Sequence, residues 1–145
     1  MAPVATSAQA MPFEKVLARK ALNARVEKEM TNNVPISADE PALTAGAQIY
    51  VQQCAACHGL PQQPVSSFAK GMFPRPPQLM RGKGVTDDPP GETFWKVKNG
   101  IRLTGMPAYE SSLNETQMWQ VTLMLANTDK LPQSAREALA GGKLP

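Results

Sequence analysis

Two cysteines and one histidine are the whole complement of thiol and imidazole in this chain, and all three fall in Cys54-Ala55-Ala56-Cys57-His58. Four chemistries use such residues at such spacing. A structural zinc site needs about four ligands, and this turn supplies three. A dithiol redox pair belongs beside a β-α-β pattern, and no strand-like alternation flanks the motif. A disulfide between the cysteines accounts for neither the adjacent histidine nor its uniqueness. Covalent haem attachment accounts for all three residues: the thiols add across the two vinyl groups, and the imidazole that follows reaches the iron from the proximal face.

His58 then fills one axial position, and a second strong ligand must be methionine, lysine, tyrosine or water, because no other histidine exists. Of the eight methionines, Met1, Met11 and Met30 are far from the motif in sequence, and Met118 and Met124 lie in an apolar helical stretch and read as core. Met72, Met80 and Met106 occupy Pro/Gly-rich segments, where a thioether can swing onto iron without breaking helix hydrogen bonds. Met106 is favoured. Gly105 before it allows close backbone approach, and Pro107 after it stiffens the loop.

With Cys54-x-x-Cys57-His58 and Gly100-x-x-x-x-Gly105-Met106-Pro107-Ala108 on one chain, the sequence resembles a monohaem class I cytochrome c of the bacterial branch. The resemblance covers about residues 42–128. It implies an all-α fold around one covalently bound haem c, with His58 as proximal and Met106 as distal ligand. It implies that the first and last core helices cross beside the haem, so that Gly46 and Tyr50 meet the helix carrying Trp119. Met124 departs from the family there, standing where an aromatic is common. Trp95 resembles a family tryptophan beside the haem propionates. Arg75, stiffened between Pro74 and Pro76, is the first choice for a propionate partner, since a guanidinium binds a carboxylate through two parallel hydrogen bonds. His58 should donate its other N–H to a carbonyl, for which Pro61 and Pro64 are the candidates.

The elements that must position these groups can be read in outline. Residues 1–12 read as disordered. Residues 13–30 are rich in helix formers, but Phe13, Val16 and Leu17 share one face while Leu22, Val26 and Met30 share another, so a bent helix or one covered on two sides is expected. Residues 31–41 read as a linker. A helix over 43–56 stacks Gly46, Tyr50 and Cys54. Residues 59–91 are irregular, and further helices are expected over 92–99, 114–127 and 134–140. Asn114 or Ser112 can cap the second of these, the latter in a capping box with Glu115, and Ser134 can cap the third. The division expected is an extension over 1–41, a haem domain over 42–132 and a tail helix over 133–145.

Fourteen prolines and ten glycines in 145 residues require much loop. The net charge of +3 is mild, and no Lys/Arg cluster with interleaved aromatics suggests nucleic acid. No apolar run is long enough to cross a membrane. Ala8-Gln9-Ala10 matches a small-residue cleavage site, yet neither a basic nor an apolar segment precedes it. Between Lys70 and Arg102 there are seven basic residues and three acids, whereas the first forty residues balance five against five. A basic rim facing acidic redox partners is therefore expected. The resemblance implies a periplasmic electron carrier in a respiratory chain, and not an enzyme. The alternatives are a relay subunit in a larger complex, with the helix at 13–30 serving a partner or a second protomer, and a haem gas sensor or peroxidase with an open sixth site.

Overall fold

A computed structural model describes residues 2–144, so Met1 and Pro145, which fall in the expected disordered stretch and the tail, lie outside the described residues. Among the described residues every regular element is a helix. Residues 2–13 hold turns and no regular element, and α1 follows as Glu14–Glu29. Of its two apolar faces, one packs: Val26 is buried, Leu22 and Met30 are half-buried, and Phe13, Val16 and Leu17 are exposed.

The next helix, α2, runs Glu40–Gln53 and so starts earlier than expected. Asp39 caps it by accepting from Ala42 N at 3.0 Å, and Pro41 fits the first turn, where its missing N–H costs no helix bond. A one-turn helix, α3, follows at Ala55–His58. The long irregular stretch holds one further turn of helix, α4, at Ser67–Lys70, and then α5 runs Pro90–Asn99.

Helix α6, Glu115–Ala126, is capped by Asn114, not Ser112. Asn114 Oδ1 accepts from Gln117 N and Gln117 Oε1 accepts from Asn114 N, both at 2.9 Å, so the reciprocal box uses Asn114 and Gln117 and leaves Glu115 out. The last helix, α7, is Gln133–Ala140, with Pro132 and not Ser134 at its cap position. Ser134 is drawn away by tertiary partners: its hydroxyl donates to Glu40 Oε1 at 2.7 Å and lies 2.8 Å from Thr44 Oγ1, both on α2.

The core forms where α2 crosses α6 and packs on α7, with α5 against the other flank of α6. Tyr50, Leu60, Trp119, Val121 and Met124 are fully buried there. Phe94 of α5 stacks on Trp119 with centroids 4.1 Å apart, a pairing that adds about 0.5–1.5 kcal/mol beyond simple burial. The α2–α6 crossing is close because Gly46 has no side chain: a Cβ there would stand 2.6 Å from the Gln120 carbonyl carbon and 2.8 Å from Met124 Cβ.

Helix α1 packs on α5. The chain leaving α1 lies so close to α5 that a Cβ on Gly91 would overlap the Thr31 carbonyl oxygen. Gly91→Ala is therefore expected to lever α1 off α5 at a cost of about 1–3 kcal/mol, while Tyr50, Trp119 and the rest of the main core stay packed. Limited proteolysis checks this: cleavage between residues 13 and 36 should accelerate about tenfold or more. Unchanged cleavage would mean that the contact does not hold the extension.

Candidate haem-attachment site

The turn carrying the three key residues is built at the junction of α2 and α3. Cys54 N donates to Tyr50 O at 2.9 Å, so Cys54 ends α2. Its carbonyl then accepts from Cys57 N at 3.1 Å and from His58 N at 2.9 Å, closing a single turn that places both thiols and the imidazole together. Gly59 follows at φ +81°, a left-handed conformation that lets the chain turn away. Its carbonyl is pinned by the buried Tyr50 hydroxyl, which donates across 2.7 Å. Burial pushes the Tyr50 hydroxyl far above its ordinary pKa, so it is a neutral donor.

Both cysteines are free thiols. Burial, helped by the neighbouring Cys57, pushes the Cys54 thiol up to about 12, and burial raises Cys57 as well. A dithiol redox site works through a thiol with depressed pKa, and this pair is shifted the opposite way.

His58 is oriented by the chain that returns past it. Its Nδ1 lies 2.8 Å from the Pro77 carbonyl oxygen. A carbonyl only accepts, so Nδ1 carries the proton and Nε2 is left with its lone pair. Burial lowers the pKa of His58, with the Pro77 bond opposing, which favours the neutral imidazole a metal needs. The carbonyl comes from neither Pro61 nor Pro64, because it is residues 77–79, not the residues just after the motif, that double back onto the turn: Leu79 N donates to His58 O at 3.0 Å. Gln78 Nε2 donates to Cys57 O at 3.0 Å. Ser66 ties α4 to the same turn through a 2.6 Å bond to Ala56 O.

The segment ahead of Met106 is a closed loop. Ile101 N donates to Met106 O at 3.2 Å, Thr104 Oγ1 donates to Ile101 O at 2.7 Å, and Met106 N donates to Thr104 Oγ1 at 3.1 Å. Gly100 at φ +66° permits the turn, since a Cβ there would press on Pro107 and Ala108. Tyr109 attaches this loop to the cysteine turn: its hydroxyl donates to Gln53 O at 2.6 Å, and burial, helped by the nearby Cys54 and Cys57, raises it to about 12. Met106 is half-buried against the core, as is Met80. Met72 rests its methyl group against Gly105.

Arg75 is exposed in the segment that ends on His58 and makes no hydrogen bond or ion pair among the described residues. Trp95 lies on α5, and its indole N–H donates to Glu29 Oε2 of α1 at 3.1 Å. Reading the motifs did not find Pro77, Gln78 or Tyr109. No spacing rule marks them, although Tyr109 follows the Met-Pro-Ala run directly.

The donor set suits haem c: two thiols in one turn and an imidazole whose Nε2 has no partner among the described residues, with a thioether on a braced loop. Residues 41–123 match the family described as cytochrome C oxidase, cbb3-type, subunit III. The chain belongs to this family of c-type cytochrome domains. Such cytochrome domains carry covalently attached haem, serve electron transfer and are typically extracytoplasmic. The match begins in the first turn of α2 and leaves α1 outside it. Among solved structures, a chain of the Kuenenia stuttgartiensis reducing HAO-like protein complex shares the fold of this cytochrome, with a TM-score of 0.57 and 22% identity over 68% of this chain. The match spans 48% of that longer chain. No curated protein matches the sequence. Among the described residues, no helix of this cytochrome is long and apolar enough to cross a membrane.

Proposed function

We propose that this cytochrome holds one haem c through Cys54 and Cys57, with His58 and Met106 as axial ligands, and passes single electrons between periplasmic redox proteins without catalysing a reaction of its own. The observation that carries this reading is the His58 ring, its Nδ1 held 2.8 Å from the Pro77 carbonyl oxygen, in the same turn as two thiols that form no disulfide. Haem so held supplies a one-electron ferric/ferrous couple. The only histidine in the chain is then a ligand, which leaves no imidazole for proton transfer to a bound substrate. Arg75, with its guanidinium unengaged among the described residues, is the first choice to bind a propionate. Trp95 would have to exchange Glu29 for a propionate to do the same.

Charge supports docking to acidic partners. No carboxylate occurs between Glu40 and Asp87, nor between Glu92 and Glu110; of the seven cations on these two stretches, Lys83, Lys96 and Lys98 pair with Asp87, Glu92 and Glu110, and Lys70, Arg75, Arg81 and Arg102 form no ion pair among the described residues. The stretches touch where Met72 packs on Gly105. Leu103, 90% exposed, and Phe68, 61% exposed, stand on them as apolar contact points within basic surroundings. Such an arrangement speeds encounter with acidic surfaces, and added salt should slow it.

A second reading is a relay subunit fixed in a larger assembly. The exposed apolar residues at the start of α1, Leu17 at 66% and Val16 at 51% exposure, with Phe13 just before it at 75%, favour it.

Absorption spectra of both oxidation states and a redox titration test the main reading. The expected result is a low-spin ferric spectrum with the methionine-to-iron charge-transfer band and a positive potential. A high-spin ferric protein that readily takes cyanide or carbon monoxide would overturn Met106 ligation and favour sensing or peroxide chemistry. Light scattering of the purified protein, alone and with candidate partners, separates the free carrier from the fixed relay.

A further inference from the structure

We propose that Gln78 is a positioning residue that clamps the Pro77 carbonyl onto His58 and thereby tunes the reduction potential. The inference rests on His58 being the proximal ligand.

The stretch that presents the Pro77 carbonyl contains Pro74, Pro76 and Pro77, which have no N–H to anchor it. Two other ties hold it to the cysteine turn. Leu79 N donates to His58 O at 3.0 Å. The Gln78 amide does the rest: Nε2 donates to Cys57 O at 3.0 Å and to Pro76 O at 3.3 Å. One amide nitrogen thus spans the turn that carries the ligands and the peptide just before Pro77. On its other side, Gln78 Oε1 lies over Gly59, in space that opens only because Gly59 has no Cβ. The clamp is therefore set by its surroundings on both faces.

The electronic consequence follows from the Nδ1–H bond. A histidine that donates Nδ1–H to a carbonyl is a more basic ligand at Nε2, and a more basic ligand favours ferric over ferrous iron. Freeing the Pro76-Pro77 peptide lengthens that bond, makes His58 a weaker donor and raises the potential. A glutamine with a merely structural role would lower the melting temperature and leave the potential where it was.

The test uses the haem-loaded protein with Gln78→Leu and Gln78→Met, which remove the donors while filling the space over Gly59. Two quantities are read: the reduction potential, and the rate at which the His58 Nδ1 proton of the ferrous protein exchanges with solvent by nuclear magnetic resonance. The expected result is about a tenfold shift of the couple toward ferrous, about 59 mV upward for one electron, with Nδ1 exchange faster by a similar factor. The methionine charge-transfer band should be retained. Unchanged potential and exchange in both variants would overturn the proposal, whatever happens to the melting temperature. Failure of both variants to acquire haem would also overturn it, by assigning Gln78 to haem attachment instead. A wild-type spectrum without histidine ligation would count against the functional reading itself, and it would be seen before any variant is made.

Discussion

Met106→Ala should leave the haem covalently attached and open its distal side. The two thiols and His58 lie on a different segment and keep their bonds, so the pyridine haemochrome spectrum and the covalent mass should match those of the wild type. The loop should survive as well, because its bracing runs through the Met106 backbone and the Thr104 hydroxyl, not through the thioether. What is lost is the sulfur. The methionine charge-transfer band should disappear, ferric iron should turn high-spin or bind water, and cyanide should bind faster by orders of magnitude. The potential should fall by about 0.1–0.3 V, a sizeable part of the roughly 0.8 V that axial ligands span. A variant that kept the band would show that another methionine serves. Met72, which lies against Gly105 in the same loop, would then be the next substitution to make.

The largest effect on stability is expected at Gly46. An alanine there would drive its Cβ into the backbone of α6, 2.6 Å from the Gln120 carbonyl carbon and 2.8 Å from Met124 Cβ. Helix backbone cannot swing aside as a side-chain end can, so α2 and α6 must separate along the interface that buries Tyr50, Trp119 and Met124. The cost should be at least about 3 kcal/mol, at or above the top of the usual overpacking range. For a chain of this size that lowers the melting temperature by roughly 6–12 °C. Gly71→Ala is the matched control. A Cβ there meets its nearest atom at 3.6 Å, and φ is −83°, so the change should be neutral or mildly stabilising. Thermal melts of the two variants followed by circular dichroism make the comparison. Equal melting temperatures would refute the close α2–α6 crossing.

Much of this arrangement was open to inference from local pattern. Cys54, Cys57 and His58 are adjacent in sequence, and a single helical turn is enough to bring them together, so no distant residue was needed to read their chemistry. The Met106 loop announces itself in the same way, with Gly105 and Pro107 on either side. Helices over 92–99 and 114–127 follow from stretches of local propensity and came out within two residues of the observed bounds. Gly46 and Tyr50 recur at helical spacing, and the family resemblance implies that they meet the helix carrying Trp119, as Gly46 does.

Other features depend on partners far apart in the chain. Ser134 has the side chain of a helix cap, yet its hydroxyl bonds to α2, some ninety residues away, and Pro132 takes the cap position. Trp95 finds its acceptor in Glu29, sixty-six residues earlier. Pro61 and Pro64 are nearer in sequence to His58 than Pro77 is, but it is residues 77–79 that return to the cysteine turn and bond to it. The chemistry available to this chain was written in a few contiguous residues, because one turn of backbone defines their mutual geometry. The hydrogen bonds that orient those residues, and the glycine that lets two helices touch, arise only on folding, since each depends on the closure of a loop whose length says nothing about where its ends will meet.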